Sequence, residues 1–126
     1  MKTYCGTDII EVERIKKAIL NTPNFKEKMY SLKEIEYADT KSEITRYQYY
    51  AGRFAAKEAI YKALSAVFPH IALNEIEVIN SINNLNRPVV NILNKDYLNA
   101  HQNIQIDVSI SHIKEYAIAN AVANIA

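Results

Sequence analysis

"GRFAAKEAIYKAL", residues 52–64, is the stretch on which the reading of this chain turns. At 100° per residue, Ala56, Ile60 and Ala63 share one face, Leu64 lies beside them, and Val67 extends the stripe. This spacing predicts a long helix from about Glu43 to Val67, stopped by Pro69. Glu58 and Lys62 lie nearly opposite the stripe, flanked by Phe54, Tyr61, Ala51 and Ala55, while Arg53 and Lys57 form a separate basic stripe. A Glu four residues ahead of a Lys reads first as an exposed ion pair of the favoured orientation, contributing about 0.3–0.5 kcal/mol. The aromatic and alanine surround points instead to partial burial, where a carboxylate requires a cation or a metal. The helix alone leaves both readings open.

Outward from that helix, the two sides differ in period. On the N-terminal side, "KTYCGTDII" has the β-branched and aromatic content of a strand, and Gly6 marks a bend or a close approach within it. "IIEVERIKKAIL" follows with Ile9, Val12, Ile15, Ile19 and Leu20 at helical spacing, ended at Pro23. Ser31 and Glu34 have the S-x-x-E spacing of a capping box that starts another helix. On the C-terminal side, Ile76 and Val78 alternate with Glu75 and Glu77, "NNLNRP" is rich in turn formers, and "VVNIL" reads as the partner strand. "KDYLNAHQ" fits a short helix. Ile104, Ile106, Val108 and Ile110 then alternate with polar residues, and "HIKE" turns that strand into "YAIANAVANI". The expected class is α+β: an N-terminal strand, several helices including one long one, then antiparallel strands.

Length and composition fit that class. The 126 residues suit one domain spanning 1–126, and 49% apolar with 23% charged residues is the balance of a soluble globular protein. The lone cysteine, Cys5, reads as a small buried hydrophobe, and no Cys/His cluster surrounds His70 or His101 to suggest zinc. A net charge of +1 gives no reason to expect nucleic acid as a partner. No apolar run is long enough for a membrane span and no leader opens the chain, so a cytoplasmic protein is expected. The charge is uneven: residues 1–62 carry twelve Lys/Arg against nine Asp/Glu, and residues 63–126 carry three against five.

Asp8 poses the same choice as Glu58. At the end of a strand and ahead of a helix, with Glu11 three residues on, it reads first as an N-cap. A functional Asp would occupy the same place. A hard cation such as Mg²⁺ needs one or two carboxylates when water and substrate phosphates complete its octahedron, and Asp8 with Glu58 would meet that need if the fold joins them.

"GTDIIEVERI", "AGRFAAKEAIYKAL" and "VSISHIKEYAIANAV", in this order and at this spacing, resemble the signature blocks of the holo-acyl-carrier-protein synthase family, the short-chain 4′-phosphopantetheinyl transferases. The resemblance covers essentially the whole chain. It implies transfer of 4′-phosphopantetheine from coenzyme A to a serine of apo acyl carrier protein, with release of 3′,5′-ADP, Mg²⁺ as cofactor, and a homotrimer with active sites between subunits. It implies that Asp8 and Glu58 are the metal ligands and that Lys62 contacts substrate phosphates. Arg53 and His112 fall on nucleotide-side positions, His112 serving a neighbouring subunit. Asn86, Arg87 and Pro88 stand where the family often has Gly-Lys-Pro at the nucleotide, with Arg87 keeping the charge. The basic pair that some members carry before the long helix has no clear counterpart, although Arg46 is nearby. Carrier proteins of fatty acid biosynthesis are acidic, so the N-terminal basic excess acquires a meaning: Arg14 matches a carrier-facing position, with Lys17, Lys26 and Lys28 as further candidates by charge. For His112 alone a turn histidine is the plainer reading, and the "SISH" match reverses it. Two other readings use the same residues: a different Mg²⁺-dependent phosphotransfer or phosphohydrolase enzyme, and a non-catalytic module that binds an acidic helical partner.

Overall fold

The structure is a computed structural model that describes residues 1–83, 85–100 and 103–126. Its elements follow in the order β1 (Lys2–Glu11), α1 (Val12–Asn21), α2 (Phe25–Met29), α3 (Leu32–Asp39), α4 (Glu43–Leu64), β2 (Ile76–Asn80), β3 (Pro88–Ile92), α5 (Lys95–Ala100), β4 (Ile104–His112) and β5 (Tyr116–Ile125). This is the expected α+β class. The strands form two antiparallel sheets, one ordered β1-β5-β4 and the other a β2-β3 hairpin. The first strand therefore pairs with the last, from Lys2 opposite Ile125 to Glu11 opposite Tyr116.

Small residues let α4 lie directly on the larger sheet. Ala117, Ala119, Ala121 and Ala123 alternate along β5 and are all buried, as are Ala51, Ala55, Ala59 and Ala63 along α4. Gly6 is the tightest point: a Cβ there would sit 1.9 Å from the Ala59 carbonyl oxygen. Close approach, not a bend, is thus the reason for this glycine. Because side chains alternate along a strand, Asp8 points to the same side as Gly6 and arrives beside the next turns of α4. α1, α3 and β2 cover the other sides of α4, which is why charged Arg53 and Lys57 are buried along with its alanines.

The capping box is formed as its spacing predicts, with Ser31 accepting from Glu34 N and Glu34 Oε1 accepting from Ser31 N at 2.7 Å. Several expectations fail. α4 ends at Leu64 rather than Val67, and Ile9 belongs to β1 rather than to a helix. Asp8 is not an N-cap, because β1 continues to Glu11 and Glu11 itself occupies the cap position of α1 without a side-chain cap bond. Cys5 is exposed rather than buried, since it alternates onto the face of β1 turned away from α4. α2 carried no sequence expectation, and His101 lies outside the described residues.

Candidate active site

Gly6 brings β1 onto α4, and the result is a cluster of Asp8, Glu58 and Lys62. Lys62 Nζ lies 3.4 Å from Asp8 Oδ1 and donates to the Thr7 carbonyl at 2.8 Å. The ion pair of Lys62 is therefore with Asp8, not the helical i,i+4 pair with Glu58. Glu58 is half-buried, and its carboxyl is raised above the usual range, first by burial and then by the charge of Asp8, with Lys62 opposing. Two carboxylates share a half-buried place with one ammonium and repel each other there. That imbalance fits a hard divalent cation with oxygen ligands, although no set of three His, Cys, Asp or Glu capable of holding a metal occurs among the described residues.

The same carboxylates line a groove of about 380 Å³ together with Arg14, Ile15 and Ala18 of α1, Phe25 of α2 and Phe54 of α4. Phe25 and Phe54 stack with centroids 6.3 Å apart, giving the groove an apolar wall beside its acidic end. Arg14 is exposed at its rim. Lys17 and Lys28 are exposed on α1 and α2 and line no part of this groove, and Lys26 is half-buried.

Arg53 and His112 meet elsewhere, in a cleft of about 250 Å³ that shares no residue with the first. Arg53 is buried to 7% exposure, donates from Nε to the Val78 carbonyl at 3.0 Å and from Nη2 to Asn80 Oδ1 at 2.6 Å, and lies 4.4 Å from the Tyr49 ring centroid. Lys41, Thr45, Gln48 and Tyr37 also line it. Lys41 sits 4.7 Å over the Tyr37 ring, and Tyr37 and Tyr49 are 5.0 Å apart, so two cations flank a pair of rings. Arg46 supports this arrangement from outside, donating to the Lys41 carbonyl at 3.0 Å. Nothing in the spacing of Lys41 and Asn80 shows that they line the same cleft as Arg53.

The turn holding Asn86, Arg87 and Pro88 joins β2 to β3, and Pro88 pairs opposite Asn80, the residue that grips Arg53. Asn86 has φ 59°, the left-handed conformation that glycine adopts freely and asparagine tolerates. Asparagine therefore retains the backbone shape available to the glycine usual at this place. Arg87 is exposed and lies 4.0 Å from Asp107.

A sheet-backed long helix with convergent carboxylates and a separate cationic cleft defines a class of small, anion-handling α+β domain. The chain belongs to the 4′-phosphopantetheinyl transferase superfamily, whose family model matches residues 4–121. It is 41% identical to a holo-[acyl-carrier-protein] synthase of Ruminiclostridium cellulolyticum over 99% of this chain and 94% of that one. A Fusobacterium nucleatum protein of the same description is 42% identical over 93% of this chain and 94% of its own length. Among solved structures, a Bacillus anthracis holo-(acyl-carrier-protein) synthase in complex with CoA (3′,5′-ADP) superposes with TM-score 0.80 at 30% identity, covering 98% of this chain and 96% of that one. The Helicobacter pylori holo-[acyl-carrier-protein] synthase in complex with coenzyme A gives TM-score 0.75 at 31% identity, covering 95% and 99%.

Proposed function

We propose that residues 1–126 act as one transferase domain that moves 4′-phosphopantetheine from coenzyme A to a serine of apo acyl carrier protein. The observation that carries this reading is the meeting of Asp8 from β1 with Glu58 and Lys62 from α4, the two carboxylates lining one groove and Lys62 paired with Asp8. In the reaction the serine oxygen bonds to the phosphorus that bears pantetheine. The pyrophosphate P–O bond breaks, 3′,5′-ADP leaves, and the serine gives up its proton. Asp8 and Glu58 would hold Mg²⁺, and the ion would supply charge neutralisation at the pyrophosphate. Lys62, held by Asp8 and the Thr7 carbonyl, places an ammonium beside those oxygens. Arg14 at the rim meets the acidic carrier, and the Phe25–Phe54 wall receives an apolar part of it.

With the pyrophosphate at the carboxylates, coenzyme A retains one more phosphate, on its ribose. Arg53 and His112, with Lys41 and the 86–88 turn nearby, form the cationic place for it. That the two clefts of one chain are separate supports the reading that a neighbouring subunit of a homotrimer completes each active site. A bare sheet face supports such a contact. Opposite α4, the β1-β5-β4 sheet presents Thr3, Cys5, Thr7, Ile9, Ile118, Asn120, Val122 and Asn124, a mostly small or apolar stretch with Glu11 and Asp107 at its margins, in which Thr3 and Thr7 donate to Asn124 and Asn120. No helix of the described residues is long and apolar enough to cross a membrane, and the cytoplasm is the compartment this reading assigns.

The test is incubation with coenzyme A, Mg²⁺ and apo carrier protein. A carrier heavier by one phosphopantetheine supports the transferase, release of inorganic phosphate supports a phosphohydrolase, and carrier binding without product supports a non-catalytic module. Mixing His112→Ala with Glu58→Gln protein should restore part of the activity that each lacks. No rescue after verified subunit exchange counts against a shared site.

A further inference from the structure

We propose that Glu34, which lines neither cleft, is a positioning residue for the Arg53 guanidinium and acts through the Val78 peptide. This rests on the reading of Arg53 as a ligand of the ribose phosphate.

Glu34 is fully buried and does more than cap α3. Its Oε1 takes Ser31 N at 2.7 Å and Lys57 Nζ at 2.6 Å, and its Oε2 takes Val78 N at 2.8 Å. Lys57, also fully buried, donates to the Leu73 carbonyl at 3.1 Å and to the Ile76 carbonyl. An ammonium has three protons, and all are engaged, so this pair has no donor left for a ligand.

What the pair does hold is the free edge of β2. Val78 faces Val90 of β3 in register, and its N–H and carbonyl both turn away from that partner toward the helices. Three side chains stand where a neighbouring strand would: Lys57 on the Ile76 carbonyl, Glu34 on Val78 N, and Arg53 on the Val78 carbonyl. Val78 is thus gripped at both ends of its polar edge, by Glu34 below and Arg53 above. Nε and Nη2 of Arg53 are fixed by Val78 and Asn80, so the place of the remaining N–H groups in the His112 cleft follows the place of β2.

Glu34→Gln tests this with little change of shape. Both carboxylate oxygens accept from N–H groups, so either orientation of the amide turns an NH₂ against a donor and loosens Val78 or Lys57. The KM for coenzyme A should rise about fivefold with kcat changed less than about twofold, while the KM for 3′-dephospho-coenzyme A stays put. A purely structural role lowers the active fraction with both donors alike and leaves KM unmoved. Arg53→Ala should show the same split at about thirtyfold, and adding Glu34→Gln to it should change nothing more. If Arg53→Ala shows no split, the ribose-phosphate reading of Arg53 is wrong. If Arg53→Ala shows it and Glu34→Gln does not, Glu34 is not a positioning residue. Should Glu34→Gln fail to fold, Glu34→Asp keeps the counter-charge of Lys57 but is too short to reach both Ser31 and Val78. It then decides by the same split, expected at about threefold.

Discussion

Lys57 and Glu58 are neighbours in sequence and occupy opposite circumstances in space. Lys57 faces α3 and β2, where Glu34 and two carbonyls satisfy it with no exposure to solvent. Burial pulls its ammonium below the ordinary pKa, and Glu34 pulls it back up. Glu58 faces β1, half-open, beside a second carboxylate that raises its pKa and a lysine already engaged elsewhere. One turn of one helix therefore carries a closed ionic cluster and an open one. The closed cluster joins elements, and the open cluster leaves carboxylate charge facing a groove.

Four experiments break or sharpen that contrast. Lys57→Met strands a buried carboxylate and should lower stability by about 3–5 kcal/mol in urea denaturation. A loss under about 1 kcal/mol would mean that the cluster is not closed. Glu58→Gln should reduce kcat by about 10³-fold without lowering the urea midpoint. Wild-type turnover from that variant in Mg²⁺ removes Glu58 from the metal site. Arg14→Ala should raise the KM for carrier about fivefold at low salt, less at high salt, with the KM for coenzyme A unchanged. Equal effects on both substrates would detach Arg14 from the carrier.

The smallest effect is one of pH. The raised pKa of Glu58 means that the folded protein holds this proton more tightly than the unfolded chain does. Its ionisation therefore destabilises the fold above the raised pKa, and the penalty disappears below the ordinary value of 4.5. Thermal melts at neutral pH should find Glu58→Gln as stable as the parent or more so, by about 1 kcal/mol or less after solvent screening, and the gap should close in acid. A variant less stable at neutral pH and equal in acid reverses the sign and the account of the open cluster with it.

Local features of this fold were legible in the sequence, and contacts between distant segments were not. The α4 helix, the Ser31–Glu34 box and the alternation of β4 each follow from spacing within a few residues. The second task of Glu34 does not, because the edge of β2 that it holds lies beyond α4 in the chain. Asp8 shows the same limit. Periodicity offered an N-cap, and the meeting with Glu58 became an expectation through family resemblance, although Gly6, two residues earlier, was the physical sign of close approach. Cys5 failed because its type suggested burial while strand alternation placed it outward. Lys41 escaped because its partner is a ring on its own side of the chain, four residues back, whose role depends on Arg53 reaching over.

The pairing of β1 with β5 also sets a timetable for synthesis. Asp8 leaves the ribosome well before the strand that supports it, Tyr116–Ile125. Until then its backbone groups have no ladder partner and the acidic groove has no fixed wall, however well α4 has already coiled. A nascent chain halted before residue 116 thus lacks the strand that holds β1 in place, and the groove at Asp8 and Glu58 takes its shape only once β5 has paired.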